Sequence, residues 1–135
     1  MSHALSRILL VDDEPDIQAV ARLALEVVGG FTVQVCSSGA AALQAAMTFA
    51  PDLILLDWMM PVMTGADVLK ALRGCPTTAA IPVIFMTARV QPHEVAHYTD
   101  LGALAVLPKP FDPMTLAQTI CAAWANAPQN SLCTP

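Results

Sequence analysis

The chain has 135 residues, 56% of them hydrophobic and only 13% charged, with a mean hydropathy of +0.58. That suits one ordinary domain with its own core and excludes a disordered segment. Eleven acidic against six basic residues give a formal net charge of −5, and no basic patch of the kind a nucleic-acid binder carries is visible.

In chain order, Ile8–Val11 is the first short apolar run and reads as a strand. Asp12-Asp13-Glu14 cuts it off too early for the h-region of a secretory signal. Every apolar run is far shorter than the roughly 20 residues that span a bilayer. Pro15 opens a helix whose apolar face is read as Ile17, Val20, Ala21, Ala24 and Val28, closed by Gly29-Gly30. Phe31–Cys36 alternates like a strand near a sheet edge, with Phe31, Val33 and Val35 on one side. An alanine-rich helix follows Ser37-Ser38-Gly39 and runs to about Phe49. Leu53–Leu56 is wholly apolar, as a strand covered on both faces should be.

Pro61 and Gly65 shape a loop before a short helix at Ala66–Arg73, and Gly74–Pro82 reads as irregular. Val83–Met86 is another buried strand, a helix around His93–Leu101 ends at Gly102, and Ala103–Leu107 is a fifth strand. Asp112-Pro113 looks like an N-cap followed by proline at the first helical position. The helix after it presents Leu116, Ala117, Ile120, Cys121 and Trp124. Alternation of strand and helix favours parallel pairing through right-handed crossovers. The fold expected is an α/β, doubly wound open sheet of five parallel strands, with helices on both faces. One domain over residues 1–127 and a polar tail over 128–135 complete the division of the chain. Cys36, Cys75, Cys121 and Cys133 show no CxxC and no metal-like spacing, so they read as buried or idle thiols of a reducing cytoplasm. His3, His93 and His97 read as surface histidines.

The chemistry is positional. Asp12-Asp13 directly follows the first strand, Asp57 the third and Thr87 the fourth, while Lys109 lies just past the fifth. In open α/β sheets ligands bind at this carboxyl edge, where strand order reverses. Each residue alone is commonplace: an acidic pair is often a solvated first helical turn, and an Asp after a strand is often a cap. Together they make a problem in electrostatics. Carboxylates 4 Å apart repel by about 4 kcal/mol per pair at an effective dielectric near 20. Lys109 supplies one positive charge, and a hard divalent ion such as Mg²⁺ suits a few carboxylates plus waters. Such a site suits attack by an Asp carboxylate on phosphorus to give an aspartyl phosphate, with a lysine and a hydroxyl neutralising the phosphoryl oxygens.

On these residues the chain resembles the receiver domain of bacterial two-component response regulators. The segments that carry the resemblance are Ile8-Leu9-Leu10-Val11-Asp12-Asp13-Glu14, Pro51–Asp57, Met60-Pro61 with Gly65, Pro82–Ala88, and Leu101-Gly102-Ala103 leading into Lys109-Pro110-Phe111. The resemblance implies a flavodoxin-like strand order 2-1-3-4-5 and a stand-alone, chemotaxis-regulator-like module in the cytoplasm that acts on itself and is not an enzyme of turnover. Asp57 would accept a phosphoryl group from the phosphohistidine of a sensor kinase or phosphotransfer protein. Asp13 would bind Mg²⁺ (or Mn²⁺ in its place) directly, Asp12 would ligate it or orient its waters, and Asp57 and the backbone carbonyl of Met59 would complete the protein's ligands. Lys109 would pair with the phosphoryl group and Thr87 would swing toward it. Lys109-Pro110 is the candidate for a cis peptide. A downstream protein would dock on the fourth helix, fifth strand and fifth helix, where Tyr98 and Trp124 are either contact residues or core; neither nucleic acid nor membrane is implied as a partner.

Two departures bear on behaviour. Val106 stands where the family usually has Tyr or Phe, so the aromatic coupling between Thr87 and the output face is altered. Ala88 is small as usual, whereas Met59 and Arg89 flank the site with bulk and are expected to slow hydrolysis of the acyl phosphate. A haloacid-dehalogenase-type phosphatase would need Asp-x-Asp, which Asp57-Trp58-Met59 lacks. A flavin carrier would need a Ser/Thr/Gly-rich first loop in place of Asp12–Asp16. The alternative kept beside the main reading is a degenerate receiver that is never phosphorylated and acts by protein binding alone.

Overall fold

The structure is a computed structural model that describes residues 4–126. Five strands alternate with five helices: β1 (Arg7–Val11), α1 (Pro15–Leu23), β2 (Thr32–Cys36), α2 (Gly39–Thr48), β3 (Leu53–Asp57), α3 (Gly65–Arg73), β4 (Val83–Thr87), α4 (Pro92–Asp100), β5 (Ala105–Pro108) and α5 (Leu116–Ala125). All strand pairs are parallel, as the alternation predicts, and the order is β2-β1-β3-β4-β5, as the resemblance implies. The tail 128–135, with Cys133, lies outside the described residues, as does His3.

The period of two along each strand divides the core into two layers. Leu9, Val11, Ile54, Leu56, Val83 and Phe85 face α2, α3 and Tyr98 of α4. Ile8, Leu10, Leu53, Leu55, Ile84 and Met86 face α1 and α5. The three central strands are buried on both faces and therefore show no polar alternation in sequence. β2, at the edge, does show it.

Three expectations change. The first helix does not simply end at Gly29: after Leu23 it widens into a π-helical turn over Ala24–Val28, in which the Gly29 N–H bonds the Ala24 carbonyl five residues back. The extra residue rotates the face beyond it, so Leu25 is buried while Val28 is 52% exposed; Val20, ahead of the turn, is itself 43% exposed. Asp112-Pro113 does not open the last helix. The Asp112 side chain accepts from the Met114 N–H at 2.9 Å and its carbonyl from the Thr115 N–H, forming a separate turn, and α5 begins only at Leu116. An Asx side chain bonding two residues on is a turn former as readily as a helix cap. Cys121 points away from the core and is exposed. Tyr98 and Trp124 are 2% and 9% exposed, so both belong to the core.

The irregular stretch 74–82 is fixed by polar side chains. The buried Thr78 hydroxyl donates to the Leu72 carbonyl at 2.7 Å, and the Arg73 guanidinium donates to the Ile81 carbonyl at 2.8 Å. These bonds satisfy backbone groups left over where α3 stops and deliver the chain to β4.

Candidate functional site

Register decides what meets at the carboxyl edge. Val11 pairs with Leu56, so the next residues, Asp12 and Asp57, end up side by side. Asp57 itself pairs with Met86, and Thr87 with Pro108, which sets Thr87 one step beyond the acceptor's neighbour and Lys109 one step beyond β5. Four segments distant in sequence thus contribute to one corner of the sheet.

The Lys109 ammonium lies 2.8 Å from Asp12 Oδ2 and 3.2 Å from Asp57 Oδ1, with Glu14 at 3.9 Å. Asp12 is fully buried and Asp57 is 4% exposed. Asp13 is half-buried beside them, and one carboxylate oxygen from each of Asp12, Asp13 and Asp57 falls within a 4.8 Å span. One lysine therefore faces the three carboxylates of Asp12, Asp13 and Asp57, with Glu14 a fourth at the margin. The imbalance appears in Asp57: burial, and then the neighbouring Asp12 charge, push its carboxyl up to about 6, against the opposing pull of Lys109 and the Met59 N–H. For Lys109 burial disfavours the charge, yet its bonds to Asp12 and Asp57 prevail and hold its pKa above the ordinary value. Hard oxygen donors at this spacing, with unbalanced negative charge, are what a Mg²⁺-sized ion requires. The residues fit the group.

The loops hold these side chains in place. The Glu14 N–H donates to Asp12 Oδ1 at 2.9 Å, and the Met59 N–H to Asp57 Oδ1 at 3.3 Å. Gly65 approaches so closely that a Cβ there would lie 2.7 Å from the Asp57 carbonyl oxygen, and its N–H bonds the Trp58 carbonyl at 2.8 Å. Glycine is needed at this position for proximity, not for its dihedrals. Thr64 and Asp67 cap α3 reciprocally just behind the loop. The Lys109-Pro110 peptide is cis, as the resemblance implies.

Thr87 is buried, and its hydroxyl oxygen accepts from the Arg89 N–H at 3.0 Å. Ala88 is exposed, Met59 is 64% exposed, and the Arg89 guanidinium turns away toward Glu94, 3.9 Å distant. Val106 pairs in register with Phe85 and packs, half-buried, against the α2–α3–α4 layer. The aromatic contacts of this region are instead Trp58 with Phe85 (5.0 Å between ring centroids) and Trp58 with Tyr98 (4.6 Å). The Tyr98 hydroxyl donates to the Arg89 carbonyl at 3.1 Å.

One participant, Gln18, and the role of another, Tyr98, escape a reading of the sequence. Gln18, one turn into α1, donates to the Asp12 carbonyl and, at 3.0 Å, to Ser37 Oγ, which clamps the acidic loop to the end of β2. Tyr98 ties α4 to the loop after Thr87. An amide in the first turn of α1 was the only available signal for Gln18, and it is a weak one.

A family model of the response regulator receiver domain matches residues 8–121. The transcriptional regulatory protein KdpE of Mycobacterium tuberculosis is 41% identical over 104 residues, covering 77% of this chain and 44% of that protein. CpxR of Escherichia coli is 39% identical over 132 residues, 94% of this chain and 55% of the relative. The chain spans about half the length of these curated relatives. The solved structure of the chemotaxis response regulator CheY4 of Vibrio cholerae superposes with a TM-score of 0.82 at 31% identity, covering 89% of this chain and 99% of the other. The matched segment runs from the first strand into the last helix and takes in every strand end that carries a site residue, so the chain belongs to the family of response regulator receiver domains.

Proposed function

We propose that this receiver is phosphorylated on Asp57 by the phosphohistidine of a sensor kinase or phosphotransfer protein, and that the modification switches binding to a downstream protein. The observation that supports this reading is the pairing of Lys109 with both Asp12 and Asp57, next to Asp13, at a sheet edge where one ammonium leaves negative charge unbalanced. A carboxylate oxygen of Asp57 attacks phosphorus as the phosphorus–nitrogen bond to the donor imidazole breaks, and the leaving nitrogen keeps the electron pair. Asp12, Asp13, Asp57 and the Met59 carbonyl would hold a Mg²⁺ ion, which supplies positive charge to the phosphoryl oxygens. Lys109 Nζ moves its bond from the Asp57 carboxylate to the transferred group, stabilising charge as it develops. Thr87 accepts from the Arg89 N–H in the present state, so its own hydroxyl proton can be offered to a phosphoryl oxygen. Hydrolysis by water later returns the free carboxylate and inorganic phosphate.

With Val106 in the fifth strand, the response of the α4–β5–α5 face runs through Trp58, Phe85 and Tyr98. Trp58 follows the acceptor directly, and Tyr98 bonds the loop that Thr87 begins. Among the described residues no helix is long and apolar enough to cross a membrane; the reading places the domain in the cytoplasm beside its kinase.

Intact mass after incubation with acetyl phosphate and Mg²⁺ tests the proposal. One added phosphoryl group, labile to hydroxylamine and absent with EDTA or in Asp57→Asn, is expected. No adduct, together with unchanged Trp58 fluorescence on adding beryllofluoride, would refute it in favour of a scaffold that works by binding alone.

A further inference from the structure

Beside the acidic corner, and separate from it, the start of α4 closes one side of an open cleft of about 430 Å³. Trp58 and Met59 form its floor on the acceptor side, Arg89 its rim, and His93, His97 and Tyr98 its helical wall. Both histidines are exposed. Four residues apart on one helix, their Cβ atoms are neighbours about 5–6 Å apart, and both line the same cleft. The His97 ring stands edge-on to Trp58, 6.0 Å between centroids at 86°, which aims it at the acceptor side.

The run His93-Glu94-Val95-Ala96-His97 has the helical spacing by which two imidazoles share one transition-metal ion. The same run in a metallohydrolase needs its Glu free as a base, and here Glu94 is committed. Its Oε1 accepts from the Gln91 N–H at 3.2 Å, closing the α4 cap, and its Oε2 faces Arg89 at 3.9 Å. Glu94 is thus held at the cap, and the run reads as a pair of ligands, not as a hydrolytic motif. Arg89 is the one cation on the rim; its side chain is 77% exposed and can turn to solvent, and Glu94 offsets its charge.

The geometry points to a second ion site, formed by His93 and His97, for a borderline divalent ion such as Zn²⁺ or Ni²⁺. Imidazole suits such ions, whereas the carboxylates of the acidic corner suit Mg²⁺. Two imidazole nitrogens at about 2.0–2.1 Å from Zn²⁺ would leave its remaining positions to water in the open cleft. An ion there ties two turns of α4 together on the side that faces Trp58, directly after Asp57.

Ni²⁺ titrated into the full chain at saturating Mg²⁺ tests the site, with Trp58 fluorescence as the readout. Saturable quenching is expected; it should weaken at least about tenfold in both His93→Ala and His97→Ala, a scale that even outer partners of metal ligands reach, and keep its midpoint in Asp13→Asn. Under the same conditions Zn²⁺ should shift the ring resonances of His93 and His97 along one common isotherm. Both histidines are exposed, so their variants fold. A midpoint that moves only with Asp13→Asn, an unchanged midpoint in either histidine variant, or a shift of one ring alone would overturn the assignment.

Discussion

Replacing Asp57 by Asn should make the metal-free protein more stable, and the gain should depend on pH in a defined sense. The native carboxyl titrates at about 6 in place of 3.8, so folding favours its protonated form. Below the unfolded value both states are protonated, and the Asp contributes no penalty. Between about 4 and 6 the unfolded chain releases its proton while the native one keeps it, and stability falls as pH rises. Above about 6 the penalty is constant. One pKa unit corresponds to about 1.4 kcal/mol, so the ceiling is roughly 3 kcal/mol. Asp13 lies nearer solvent than Asp12 and Asp57, where water screens part of the repulsion, so we expect roughly 1–3 kcal/mol, or some 3–5 °C in Tm per kcal/mol for a domain of this size. Asn is a close mimic of the protonated acid and can still accept from the Met59 N–H. The assay is urea and thermal unfolding in EDTA from pH 4 to 8. A variant no more stable than wild type at pH 7.5, or an advantage that persists undiminished at pH 4, would refute the reasoning. Adding Mg²⁺ at pH 7.5 should then stabilise wild type more than the variant, because a ligand that binds only the native state shifts the equilibrium toward it.

Other perturbations follow from the same geometry. Lys109→Met leaves buried Asp12 and Asp57 facing each other without a cation; a loss of about 3 kcal/mol is expected, with Mg²⁺ restoring more stability than it adds to wild type, as read by denaturant melts. Gly65→Ala drives a methyl to 2.7 Å from the Asp57 carbonyl oxygen; about 1–3 kcal/mol should be lost, and acetyl-phosphate labelling should slow because the acceptor loop must shift. Val62 is β-branched, fully exposed and held at φ 71°, so Val62→Asn should raise stability by roughly 1 kcal/mol, measured by the same melts. Met59→Asn and Arg89→Ala should each speed loss of the phosphoryl group in a chase by intact mass; unchanged lifetimes in both would remove these side chains as a barrier to water.

Much of the site is legible in the sequence because the fold puts one kind of residue in one kind of place. A polar residue directly after an apolar strand must lie at the carboxyl edge, and Asp12, Asp57 and Thr87 satisfy that condition without knowledge of any contact. Lys109 follows from its place after β5. The helix faces are less legible: Leu25 and Val28 exchange roles because a single π-helical turn shifts the stripe by one residue, and no pattern of apolar residues encodes it. Asp112-Pro113 misleads for a related reason, since a cap and an Asx turn use the same side-chain oxygen and only the following backbone decides between them. In sequence Tyr98 fits contact and core equally; its burial follows from packing against Phe85 of β4 and against Trp58 in the loop after β3.

Local chemistry in the sequence determined the element order, the parallel sheet, the division into two buried layers and the identity of the charged groups at one edge, because these depend on periodicity and on distance along the chain. Tertiary structure alone decided which oxygens Lys109 touches, that Asp57 titrates near 6, that Gln18 clamps the acidic loop, and that two histidines on α4 share a cleft with Trp58. Burial and Coulomb energy depend on separation in space, and those separations are set by strands and helices up to 97 residues apart in the chain.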